Sequence, residues 1–385
     1  MVKAISQKHW SKCFGLMAGG CPVAAIVAIL FVAWAAESLA AEPTSENSPR
    51  LKEVLQKYPK ADLNGDGVLT AEEARTARQQ FQKERANKAG VRAGKSSQAE
   101  QGRPGQTAPQ PTFANVQYGP HERNVLDFWK ADSQKPTALV VFIHGGGFVG
   151  GDKSKADSEI IRACLDAGVS FMAINYRFRQ HAPIQDILRD AARAIQFIRD
   201  HAKEYNIDPK RIASYGGSAG AGTSLWLAVH DDLADPKSTD TVLRQSSRLS
   251  AAGCFNGQAT YDMTEWEKII GPFQEEWMRS PKERIEFYHF KSETDVETPE
   301  GRKILDDCSM LRQITRDDPP IFMACGLADE EPKNRGQYVH HPRHMAAVKK
   351  QCEAAKIECV TVGREDFPNR NKLLLEFLFK HLKVK

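Results

Sequence analysis

The chain has 385 residues, 41% of them hydrophobic, enough for one large domain with appendages and a sizeable buried core. Its formal net charge of +4 is small and spread along the sequence, which argues against a polymer-binding patch and against a nucleic-acid partner. Cys13 and Cys21 lie near the N-terminus, and Cys164, Cys254, Cys308, Cys325, Cys352 and Cys359 are scattered without metal-type spacing. No zinc-type cluster is expected, and disulfide pairing stays open.

Lys3, Lys8 and Lys12 precede an apolar run over residues 14–36, and the small residues Ser38-Leu39-Ala40 follow. This order predicts an export leader over residues 1–40, cleaved after Ala40. The run is also long enough to span a bilayer, so an uncleaved anchor is the alternative, although Gly19, Gly20 and Pro22 weaken it as a helix. Both readings put the rest of the chain outside the cytoplasm, periplasmic or secreted. The membrane is a partner only in the second.

Residues 41–87 form a first module around a twelve-residue loop, 62–73. Asp62, Asn64 and Asp66 take loop positions 1, 3 and 5, Gly67 the sharp turn at position 6, and Glu73 the bidentate position 12. Val68 would offer its carbonyl and Thr70 a hydroxyl or a bridging water, with Leu69 as the apolar anchor between them. Leu51, Val54, Leu55 and Tyr58 make a helical stripe before the loop, and Ala74, Ala77 and Phe81 one after it. The segment resembles an EF-hand. That resemblance implies Ca2+ as a cofactor held away from the chemistry, in a structural or tethering role; no organic cofactor is implied. Residues 88–112 then turn to Gly, Ser, Gln and Pro without apolar periodicity and read as a flexible linker.

The remaining body, 113–385, alternates strand and helix patterns. Residues 138–144 and 170–176 are apolar on both faces, as strands of a covered parallel sheet are. A helix follows over 183–204, with Ile184, Ile187, Leu188, Ala191, Ile195 and Ile198 on one face. Further strands are read at 211–215, 321–325 and 358–362, and the chain ends in an amphipathic helix carrying Leu374, Phe377 and Leu378. This alternation predicts an α/β fold with a doubly wound, mostly parallel sheet. An aromatic-rich insertion spans residues 261–313.

Two glycine motifs carry the chemistry. One apolar run ends in His144-Gly145-Gly146-Gly147-Phe148, and another, following Asp208-Pro209-Lys210-Arg211-Ile212, in Gly216-Gly217-Ser218-Ala219-Gly220. A tight strand-to-helix turn that presents a serine, beside a loop of free N–H groups, suits acyl transfer. With Asn175-Tyr176-Arg177, these motifs resemble the α/β-hydrolase esterases of the hormone-sensitive-lipase and carboxylesterase type. The resemblance implies Ser218 as nucleophile through an acyl-enzyme, Gly146, Gly147 and Ala219 as oxyanion hole, a lid in the 261–313 insertion, and a small ester as substrate. Gly326-Leu327-Ala328-Asp329 matches the family's Gly-x-x-Asp and implies Asp329 as the acid, with Glu330 and Glu331 adjoining it.

The family's histidine follows its last strand, but here residues 362–370 contain none. Histidines cluster instead at His340-His341-Pro342-Arg343-His344, in the loop after Asp329. Loops at that strand end face the site in an open sheet. His341 is therefore expected as a relocated base, with His340 as the alternative, unless Pro342 starts a helix that the histidines merely cap. A scaffold without a base would instead be a calcium-dependent binding or attachment protein. The sequence carries no marker of an oligomeric state.

Overall fold

A computed structural model describes residues 44–70, 72–74, 76, 77, 109–280 and 282–384. The expected leader, 1–40, and most of the expected linker, 88–112, lie outside the described residues, as does Phe81. The chain divides into two compact units, Met1–Gln106 and Thr107–Lys385.

In the first unit, helix α1 (Pro49–Lys57) leads into the 62–73 loop. Leu69 is fully buried with Ala61 and Ala77, against half-buried Leu51, Val54, Leu55 and Ala74. Tyr58 does not continue that stripe: it is the C-cap of α1 and is exposed. Leu69 accepts a hydrogen bond from the Ser45 N–H at 2.8 Å, its own N–H donates to Ser45 Oγ at 2.9 Å, and Thr44 and Thr70 form an antiparallel bridge.

The second unit is built on an eight-stranded sheet. Its strands are β1 (Phe113–Gln117), β2 (Val125–Trp129), β3 (Thr137–Ile143), β4 (Ser170–Ile174), β5 (Ile207–Gly217), β6 (Ala251–Phe255), β7 (Ile321–Ala324) and β8 (Cys359–Val362), in the order 1-2-4-3-5-6-7-8. The pairings from β4 to β8 are parallel, whereas β1–β2 and β2–β4 are antiparallel. Sequence patterning missed this antiparallel edge, because β1 is largely exposed and carries no apolar run.

Side chains alternate across β3. Leu139, Val141 and Ile143 join a core with helices α3 (Ile184–Asp200), α4 (Ala219–Val229) and α9 (Pro342–Ala355). Val140 and Phe142 join a second core with α2 (Ser158–Asp166) and α10 (Arg370–His381). A sheet covered on both faces is what strands apolar on both faces require. Between β6 and β7 lie the short helices α5 (Trp266–Ile270), α6 (Glu283–Tyr288) and α7 (Pro299–Cys308), within the expected insertion. Helix α8 (Arg335–Val339) follows β7. The register aligns Ile143 with Gly216 and Gly216 with Cys254, so the carboxyl ends of β3, β5 and β6 come to one edge. The segments leaving that edge build the site.

Candidate active site

Ser218 stands between β5 and α4 at φ 53°, ψ −119°, a left-handed conformation that costs a non-glycine residue about 1–3 kcal/mol. The fold holds it there. The Ser218 N–H donates to Phe255 O at 2.9 Å and the Ser218 carbonyl accepts from the Gly222 N–H at 3.1 Å. Gly220 cannot be replaced without movement, since a Cβ there would stand 2.0 Å from Ile143 O. Helix α4 is buried along its whole length, and Tyr261 Oη and Thr223 Oγ1 both donate to Ala219 O. Ala219 is the first helical residue, so its N–H has no intrahelical acceptor.

The glycine loop leaves β3 beside this turn. Gly146 has φ 118°, and a Cβ on it would lie 2.1 Å from Gly150 O, so only glycine fits. Among the described residues neither the Gly146 nor the Gly147 N–H has an acceptor. His144 braces the loop: its Nδ1–H donates to Gly145 O at 2.7 Å, and its ring stacks on Tyr176, whose hydroxyl donates to His144 O. Burial drives the His144 pKa down to about 4, so this imidazole is neutral at ordinary pH.

The opposite wall comes from the segment after β7. Asn334 caps α8 by accepting from the Gln337 N–H, and His340 follows as the C-cap. His340 Nε2 lies 2.8 Å from Ser218 Oγ, and His340 Nδ1 lies 2.9 Å from Gly336 O. A carbonyl can only accept, so Nδ1 carries the proton and Nε2 presents its lone pair to the serine. Burial lowers the His340 pKa, the bond to Gly336 O opposes that, and the Arg335 charge lowers it further. The His340 ring is therefore neutral at neutral pH. Cavities of about 300 Å³ and 570 Å³ flank the pair, one bounded by the glycine loop, Tyr261 and Phe287, the other by Phe255, Leu327 and Phe367.

Residues 126–337 match the family described as BD-FAE. The chain belongs to the BD-FAE family. Among curated relatives it is 29% identical over 221 residues to a "Probable carboxylic ester hydrolase LipM" of Mycobacterium tuberculosis, covering 56% of this chain and 47% of that protein. It is 31% identical over 146 residues to a "Probable isoprenylcysteine alpha-carbonyl methylesterase ICMEL1" of Arabidopsis thaliana, covering 36% and 29%. The chain thus spans about half the length, or less, of these relatives. A solved structure described as "Truncated form of carbohydrate esterase from gut microbiota" superposes with a TM-score of 0.58 at 19% identity, over 73% of this chain and 99% of that one, which shows a shared fold.

Around one cavity the structure brings together Ser218, Gly146, Gly147 and Ala219 of the BD-FAE match with His340 just beyond it, and sets His341 and Asp329 apart. His341, the first-named base, is the N-cap of α9: its Nδ1 accepts from the Arg343 N–H and its Nε2–H donates to Glu330 O at 2.9 Å. With Pro342 at the first helical turn, both ring nitrogens are committed, and the neighbouring imidazole takes the serine instead. Asp329 is 62% exposed and pairs with Arg343 Nε at 3.0 Å, so it does not orient the base. The group on His340 Nδ1 is the Gly336 carbonyl, which no residue type betrays. A usable signal was the Asn334-x-x-Gln337 pattern, which marks a short helix starting just before the histidines.

In the other unit, Asp62 accepts from the Gly65 and Gly67 N–H groups, Asp66 from the Val68 N–H, and Asn64 Nδ2 donates to Asp66. Gly67 makes the turn at φ 83°. The Glu73 carboxylate caps Thr70 through its N–H and hydroxyl. Among the described residues no three His, Cys, Asp or Glu side chains gather as a metal cage. The donors are nonetheless all hard oxygens on a loop turned at its glycine, a set suited to a hard divalent cation.

Proposed function

We propose that the BD-FAE domain is a serine carboxylic ester hydrolase. The observation that carries this reading is the 2.8 Å approach of His340 Nε2 to Ser218 Oγ at the strained strand-to-helix turn. In this reading Nε2 takes the serine proton as Oγ attacks the ester carbonyl. The oxyanion that forms accepts from the Gly146, Gly147 and Ala219 N–H groups, where one donor is worth about 3 kcal/mol. The imidazolium then protonates the departing alcohol, leaving acyl-Ser218, and the neutral ring activates the water that frees the acid. The Nδ1–H bond to Gly336 O holds the ring in the tautomer needed at both steps. The similarity to relatives named as a probable carboxylic ester hydrolase and a probable methylesterase supports the same chemistry. A fluorophosphonate probe tests it. Labelling of the full chain should map to Ser218 and vanish in Ser218→Ala; an unlabelled protein that also leaves 4-nitrophenyl acetate intact makes the fold a binding scaffold.

We also propose that the 62–73 loop binds one calcium ion through Asp62, Asn64, Asp66, the Val68 carbonyl, Thr70 and Glu73, as a structural ion without part in the ester chemistry. The support is the run of hard oxygen donors with glycine at the turn. Calorimetry of the full chain with millimolar calcium should show binding that Asp62→Ala abolishes; no heat from the parent chain removes the assignment.

A further inference from the structure

Beside the glycine loop, three arginines surround one acid. Glu283 of α6 is 4% exposed; its carboxylate takes Arg335 Nη1 and Nη2 at 2.7 and 2.8 Å and the Arg279 backbone N–H at 3.0 Å, with Arg179 Nη1 at 3.5 Å. Arg179, Arg279, Arg335 and Glu283 all line the 300 Å³ cavity that holds Ser218, His340 and the glycine loop. One negative charge thus faces three positive ones. Arg335 has spent its fork on Glu283. Arg179 Nε is buried without a partner among the described residues. The Arg279 guanidinium meets no carboxylate among them; it lies over the glycine loop, 2.9 Å from where a Cβ on Gly147 would stand. Burial and the charges of Arg335 and Arg179 lower the Arg279 pKa, while Glu283 opposes them. Glu267 and Arg284 line the neighbouring cavity, one of each sign, and leave the excess unchanged.

Such an excess suits a ligand that brings a negative charge of its own, and a guanidinium fork matches a carboxylate in shape and charge. We propose that this cavity selects esters carrying a free carboxylate, with Arg279 as the group that receives it. The inference rests on the esterase reading for its chemistry, but the anion site stands on geometry of its own. The aromatic walls, Tyr261 and Phe287, hold the rest of the ligand and exclude water from the pair.

The test compares 4-nitrophenyl hydrogen succinate with its methyl-capped ester, and 4-acetoxybenzoate with its methyl ester. The wild type should favour the acid in one pair by about tenfold or more in kcat/KM, as expected of a charge-assisted bond, and the pair showing it tells whether the acyl or the alcohol part bears the anion. Arg279→Gln should bring that ratio to about one. No preference in either pair overturns the proposal, as does an equal fall for acid and neutral ester in Arg279→Gln, which would place Arg279 on the oxyanion. A second readout needs no turnover. The Ser218→Ala protein should bind methyl hydrogen succinate more tightly than dimethyl succinate in calorimetry, and equal binding overturns the site. If the wild type hydrolyses none of the esters while that difference persists, the esterase reading falls and the carboxylate site remains.

Discussion

The serine side and the histidine side of the site are made in different ways. Ser218, Gly146 and Ala219 are fixed by main chain packed on main chain at the ends of three aligned strands, with room for a Cβ neither on Gly146 nor on Gly220. His340 is delivered by the five-residue helix α8 and steadied by one carbonyl, with its neighbours turned to capping and ion pairing. Where backbone sets the geometry, position in the chain cannot drift. Where a single ring must reach a single oxygen, several stretches of chain can supply it, provided something orients the ring. Here a main-chain dipole does so in place of a carboxylate.

The largest effects should fall on the pair that joins the two sides. Ser218→Ala and His340→Ala should each lower kcat by several orders of magnitude, on the order of 10⁴ to 10⁶, and the double variant should lose little more, because the residues act as a unit. His341→Ala should keep most of the activity and register instead as a lower Tm, since an N-cap is worth about 1 kcal/mol. A His341 variant as inactive as the His340 one would mean that the rings exchange places in solution.

Next comes the serine side itself. Gly220→Ala puts a Cβ 2.0 Å from Ile143 O, a main-chain atom that cannot swing aside. Overpacking of this kind costs about 1–3 kcal/mol or more, and the shift it forces moves Ala219 N–H away from the oxyanion. Thermal unfolding and kcat should both suffer. An active variant of unchanged Tm would show the strand-to-helix turn to be looser than its contacts imply.

A smaller effect separates the charge around His340 from its position. Arg335 holds the His340 pKa down, adding to burial, because a nearby cation disfavours the imidazolium. Only the neutral ring can act as base, so the acid limb of kcat/KM lies below the ordinary histidine range. Arg335→Gln should raise the pKa and move that limb to higher pH, while Arg335→Lys should leave it nearer the wild-type position. A limb unmoved by the loss of charge would assign the shift to burial alone.

What could be read in advance divides along the same line. The turn at Ser218 and the loop at Gly146 were legible because a steric demand for glycine writes itself into residue type. The covered strands β3 and β4 were legible through their apolar runs, whereas exposed β1 offered none. The Gly336 carbonyl was illegible because every residue has one. Glu283 and Arg279 lie in an insertion of short helices, while Arg179 and Arg335 come from the segments after β4 and β7, and no periodicity announces that these charges will meet. Choosing between His340 and His341 needed the start of α9: Pro342 at its first turn makes the residue before it the cap.

The smallest expected effect is the most pointed. In a serine hydrolase whose acid orients the base, removing that acid costs about 10⁴ in kcat. Asp329 here is 62% exposed, bonded to Arg343, and 3.9 Å from the ring of His341 rather than His340. An exposed ion pair of this kind is worth about 0–1 kcal/mol to stability and has no route to the serine. Asp329→Asn should therefore change kcat/KM by no more than about twofold and leave the pH profile in place. During turnover an imidazole needs a fixed tautomer, which Gly336 O supplies, and a stabilised positive charge, which a carbonyl supplies only in part. If Asp329→Asn instead costs several orders of magnitude, the carboxylate must reach His340 during catalysis. The loop from Asp329 to α8 would then be the moving part that completes the site.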